Sequence, residues 1–141
     1  MNNILLYVDE ECFSKGALDY TLKIAQQFKA KITILYVQES EAPLTLVGTE
    51  VIKKTRGKFQ DKENNEILQK AKKYFSDSNL ELKTLTSIGN RSAIIINIAE
   101  IEKCDAIVIP TPKVSQVKNL LKNNVANRVV NYAKIPVTVV R

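Results

Sequence analysis

Apolar positions recur along this chain in two alternating rhythms. Five short runs are rich in apolar and β-branched residues: "NILLYV" from Asn3, "KITILYV" from Lys31, "ELKTLTSI" from Glu81, "AIVI" from Ala106 and "PVTVV" from Pro136. Four of them are nearly continuous, the pattern of strands buried on both faces of a parallel sheet. Between them the apolar residues fall at helical spacing: Leu18, Leu22, Ala25 and Phe28; Leu68, Ala71 and Phe75; Ile94, Ile98 and Ile101; Val125, Val129 and Ala133. Ser14, Asp61, Ser92 and Asn123 or Asn124 are available as N-caps for these helices. The order is therefore β-α-β-α-β-α-β-α-β.

Strands that alternate with helices imply right-handed crossovers and an α/β fold. The expected architecture is a doubly wound, open, five-stranded parallel sheet of flavodoxin-like order 3-2-1-4-5 with helices on both faces. One domain spans residues 1–141. A single segment, Gln38 to Gln60, is too long and too weakly periodic for an ordinary connection, and reads as a lid or an excursion from the domain.

Composition narrows the chemistry. The chain contains no histidine, and its two cysteines, Cys12 and Cys104, are far apart in sequence, so no Cys/His metal set and no histidine-based triad can be assembled. No apolar run approaches the length of a membrane span, and the N-terminus lacks the features of a signal peptide, so the expected location is the cytoplasm. The formal charge of +6 is unevenly placed. No acidic residue follows Asp105, whereas Lys113, Lys118, Lys122, Arg128, Lys134 and Arg141 do. Such a surface is either an ordinary solvated face or one turned to an anion.

In an open α/β sheet, ligands bind beyond the carboxyl ends of the strands where strand order reverses. Here that point is flanked by "VDEE", Val8 to Glu11, and by "PTPK", Pro110 to Lys113, with "NNVANR" at the start of the last helix closing it. At these residues the chain resembles the universal stress proteins over essentially its whole length. The resemblance rests on "ILLYVD", "ITILYV", Gly89 ahead of the third helix, "CDAIVIP" and, most specifically, "VANRVVNYAKIPVTVVR".

The resemblance implies a nucleotide site, because many members bind ATP. It assigns Asp9 and Val37 to the adenine end, and it lays the phosphate-loop pattern G-x2-G-x9-G-[ST] on Pro110, Lys113, Asn123 and Asn124. None of the three glycines is present. A phosphate cradle needs free N–H groups and a backbone that an anion can approach closely, and glycine supplies both. Pro110 and Pro112 each remove an N–H and fix φ, and Lys113 adds a side chain. Glu10 and Glu11 add negative charge at the same rim. Against this, Asn123 and Asn124 tolerate αL geometry at a helix N-terminus, and the lysines supply positive charge. Asp9 alone also has a plain structural reading, as a turn former at a strand end.

The expected function is thus that of a dimeric stress-response binding module without tight ATP binding, with no cofactor, acting through an unidentified protein partner. The alternatives are a nucleotide-binding member with an altered loop and ATP as ligand, slow hydrolysis included, or a weak polyanion binder. Nucleic acid is disfavoured because only Tyr132 offers a stacking surface in the basic region. No nucleophile, metal set or oxyanion donors accompany Asp9, Glu10 and Glu11, so an acid/base enzyme is not expected.

The two sheet edges also differ. The third strand alternates Leu80 and Leu82 with Glu81 and Lys83, which guards an edge, whereas Val137, Thr138, Val139 and Val140 carry no charge. An unguarded edge invites pairing with a two-fold copy of itself, and the resemblance likewise implies a homodimer through the last strands.

Overall fold

The computed structural model describes residues 1–40, 65–112 and 125–141. Within them the chain forms β1 (Asn3–Val8), α1 (Lys15–Phe28), β2 (Lys31–Glu39), α2 (Glu66–Phe75), β3 (Leu82–Gly89), α3 (Arg91–Ile101), β4 (Ala106–Pro110), α4 (Val125–Tyr132) and β5 (Val137–Val140). The five strands make one parallel sheet in the order β3-β2-β1-β4-β5. The expected fold is the observed one.

The core has two layers because successive strand residues point to opposite faces. In β1, Leu5 and Tyr7 join Leu35, Ile94, Ile98, Ile107 and Val129 on one face. Ile4, Leu6 and Val8 join Leu18, Ile34, Leu68, Phe75 and Val108 on the other. This double burial is why β1, β2 and β4 read as continuous apolar runs. The helical stripes hold in their middles and fail at two ends: Phe28 and Ile101 are exposed, because the stripe rotates past the sheet in the last turn.

The caps show where local chemistry overrules the simplest reading. Ser14 caps α1, its Oγ accepting from the Ala17 N–H. For α3 the cap is Asn90 and not Ser92: Asn90 Oδ1 accepts from both the Ala93 N–H and the Ser92 hydroxyl. Asn65 caps α2, accepting from the Ile67 and Leu68 N–H groups, whereas Asp61 lies outside the described residues. Gln38 and Glu39, expected to open a loop, instead extend β2 and pair with Ile88 and Gly89. The remainder of the expected excursion, from residue 41 on, lies outside the described residues.

The strand ladders position the site. Pairing of β1 with β4 stops at Leu6–Val108, whereas pairing of β4 with β5 continues to Pro110–Val140. The two central strands therefore part at their carboxyl ends, and a crevice opens between Asp9 and Pro110.

Candidate functional site at the parting of β1 and β4

Asp9 stands just past β1 and is 1% exposed. Its Oδ1 accepts from the Glu11 and Cys12 N–H groups at 2.8 and 2.6 Å, and its Oδ2 accepts from the Tyr7 hydroxyl. The Asp9 N–H donates to the Cys12 carbonyl, so the side chain and backbone of one residue close the turn together. Burial, followed by the charge of Asp9 and the hydrogen bond to it, pushes the Tyr7 phenol far above its ordinary range and keeps it a donor. Burial first and Asp9 second push the Cys12 thiol up to about 12, so this thiol is neutral.

The three adjacent acids play different parts. Glu10 stands exposed at the rim and accepts a hydrogen bond from the Tyr36 hydroxyl on β2. Glu11 is half-buried in the crevice lining.

A further cation enters the site from α3. The Arg91 guanidinium reaches Asp9 Oδ2 at 3.7 Å through Nε and Glu39 Oε2 at 3.4 Å through Nη1. Nε itself is buried without a hydrogen-bond partner among the described residues. Burial alone would lower the Arg91 pKa, but the oxygens of Tyr7, Asp9, Glu39 and Glu11 outweigh it and hold the group above its ordinary value. Sequence reasoning passed over this residue. The available signal was its place as the first residue of a helix, where the macrodipole disfavours a cation and some other partner must compensate.

The crevice is lined by Asp9, Glu11, Cys12, Arg91, Pro110 and Pro112, with Val125 and Ala126 of α4. Its volume is about 20 Å³, where pockets for small molecules run to about 300–1,000 Å³. A neighbouring notch of similar size brings Arg91 and Ser92 together with Glu39 and Arg128. Of the residues expected at the nucleotide site, Asp9 and Pro110 come together. Val37 is 1% exposed and packs in the core beside Tyr7 and Leu35. Lys113, Asn123 and Asn124 lie outside the described residues. At the sheet edge, Val137, Thr138 and Val140 of β5 are half-buried and Val139 is exposed.

The sequence model of the universal stress protein family matches residues 1–141. The chain belongs to the universal stress protein family. Among its relatives is the universal stress protein YxiE of Bacillus subtilis, 26% identical over 147 residues, with 99% of each chain covered. Among solved structures, universal stress protein UspA from Lactobacillus plantarum superposes with a TM-score of 0.68 at 25% identity, covering 99% of this chain and 97% of the other. A universal stress protein from Archaeoglobus fulgidus in complex with dAMP superposes at 0.66 with 18% identity, covering 100% and 98%. At that identity the likeness speaks for the fold. Among the described residues no helix is long and apolar enough to cross a membrane, and no cluster of acidic residues and cysteines is arranged for a metal.

Proposed function

We propose that this universal stress protein is a dimeric binding module that does not hold ATP tightly and acts through a protein partner. One observation carries the reading: the Asp9 carboxylate, which the family resemblance assigns to adenine, is already committed to this chain's own groups. Two backbone N–H groups, the Tyr7 hydroxyl and the Arg91 guanidinium surround its two oxygens. An adenine amino group would have to reach the one acceptor position left on Oδ2, on a side chain that is almost wholly buried and faced by Arg91. Pro110 and Pro112 act in the same direction, since neither has an N–H to offer a phosphate. No catalytic role is assigned to the site.

A second reading has its own support. Arg91 and Arg128 both line the notch beside the Asp9 crevice, and guanidinium is well suited to phosphate. The relative from Archaeoglobus fulgidus holds dAMP. Under this reading the arginines, with Lys113, Asn123 and Asn124, would take the place of the glycine loop.

Calorimetric titration of ATP with Mg²⁺ into nucleotide-free protein separates the two. The first reading expects no saturable heat at millimolar ATP. Micromolar binding would overturn it and establish the second.

A further inference from the structure

Two small voids meet at Arg91. The Asp9 crevice and the notch beside it each measure about 20 Å³, and the described residues that line both are Arg91 and Val125. The Arg91 side chain is thus part of the partition between them. It also faces the last acceptor position of Asp9: Oδ1 holds the Glu11 and Cys12 N–H groups, Oδ2 holds the Tyr7 hydroxyl, and Arg91 Nε stands 3.7 Å from Oδ2. We propose that Arg91 is an autoinhibitory plug, the residue that closes the crevice to a planar heterocycle whose exocyclic amino group would otherwise donate to Asp9 Oδ2. This role rests on the reading of the Asp9 crevice as the nucleobase end of the family site, and it names what keeps that end shut.

Shape and chemistry both suit Arg91 to the part. A guanidinium is flat and carries its N–H groups at its edge, so it offers Asp9 what an amino-substituted ring would offer, a donor on the rim of a planar body. The side chain is four-fifths buried and takes up the space that such a ring would need. Val125, the other shared wall, is a short apolar side chain at the start of α4. The movable part of the partition is Arg91, and with it withdrawn the two voids join and admit a flat ring edge-first.

The plug is loosely held. Nε is buried and has no hydrogen-bond partner among the described residues. Its approach to Asp9 exceeds hydrogen-bond length, and Nη1 reaches Glu39 Oε2 at 3.4 Å on a side chain that is 48% exposed. Neither contact is the short two-bond fork that a guanidinium makes with a carboxylate at its best. Moving Arg91 outward loses the attraction of Asp9 but lets water reach Nε, while an incoming amino group gives Oδ2 the hydrogen bond that Nε does not. Asp9 itself stays oriented by Tyr7 and two N–H groups throughout.

The test is calorimetric titration of adenosine, which carries no phosphate, and of purine riboside, the same nucleoside without the amino group, into wild type and Arg91→Ala. One hydrogen bond to a carboxylate is worth roughly tenfold or more in affinity. Arg91→Ala should therefore bind adenosine saturably, at least about tenfold tighter than wild type does and at least about tenfold tighter than it binds purine riboside. Arg91→Lys keeps a cation beside Asp9 on a flexible, strongly hydrated stem that can leave the crevice. It should gain adenosine binding by a smaller factor, which keeps the inference testable if Arg91→Ala does not fold. No gain in either variant, or a gain that purine riboside shares equally, would overturn it. Wild type silent toward ATP together with no gain in the variants removes the plug and leaves the reading of the site standing. Wild-type binding of ATP overturns that reading, and the ratio of variant to wild type for adenosine still decides the plug.

Discussion

Arg91 and Asp9 form a mixed relationship: Nε lies 3.7 Å from Oδ2, near enough for charge to act and too far for a hydrogen bond. The carboxylate is nearly inaccessible, whereas the guanidinium is one-fifth exposed and shared with Glu39. Arg91 is therefore placed to neutralise a buried anion that other donors already orient.

Replacement of Arg91 by alanine should accordingly destabilise the fold by about 1–2 kcal/mol. That is less than the ~3–5 kcal/mol typical of breaking a fully buried pair, because Tyr7 and two N–H groups stay on Asp9 and the arginine is partly solvated. Urea unfolding should show a lower midpoint at unchanged slope. An unchanged midpoint would mean that the three remaining donors suffice.

Gly89 joins β3 to α3 with φ of +141°, a region L-residues rarely enter. A Cβ there would stand 2.9 Å from Ile94 Cδ1, and Ile94 is wholly buried. Gly89→Ala should cost about 1–3 kcal/mol, read as a fall in melting temperature. Adding Ile94→Val should recover only part of the loss, because the backbone strain remains. Full recovery would place the whole effect in the side-chain contact.

The central strands were legible in the sequence because both faces of β1, β2 and β4 are covered, and double burial leaves a continuous apolar signature; β5 reads nearly the same although it lies half-buried at the sheet edge. The helix ends were less legible. Asn90 and Ser92 are both good caps, and only the folded turn selects Asn90, whose one oxygen accepts from Ala93 and Ser92 together. Asp9 could be singled out from its place after β1. Its burial could not, because that depends on Tyr7 beneath it and on Arg91 arriving from 82 residues further along the chain.

Stability should fall as pH rises above the ordinary thiol range. Burial holds Cys104 up to about 11 and Cys12 up to about 12 in the folded chain, so the unfolded chain releases these protons first. Each raised group contributes stability that is complete below its unfolded pKa and is lost as pH climbs to its folded value. The slope is at most about 1.4 kcal/mol per pH unit per thiol. Urea midpoints measured from pH 8 to 10.5 should decline, and Cys104→Ala should flatten the decline. An equally steep fall in that variant would assign the effect to other groups.

The proposed homodimer has its test at β5. Only four residues long, β5 pairs on one side with β4 and has no strand on its other edge among the described residues, with Val139 39% exposed and Val130 and Tyr132 of α4 exposed as well. An apolar edge without charge is free to add a strand, and a second copy related by a two-fold axis presents the same edge in antiparallel sense. Sedimentation of the wild-type chain at micromolar concentration should then give twice 15.9 kDa, and Val139→Lys should return it to the monomer, since two lysines would face each other near the axis. A wild-type species of 15.9 kDa would remove the dimer. A Val139→Lys protein that remained dimeric would move the interface away from β5.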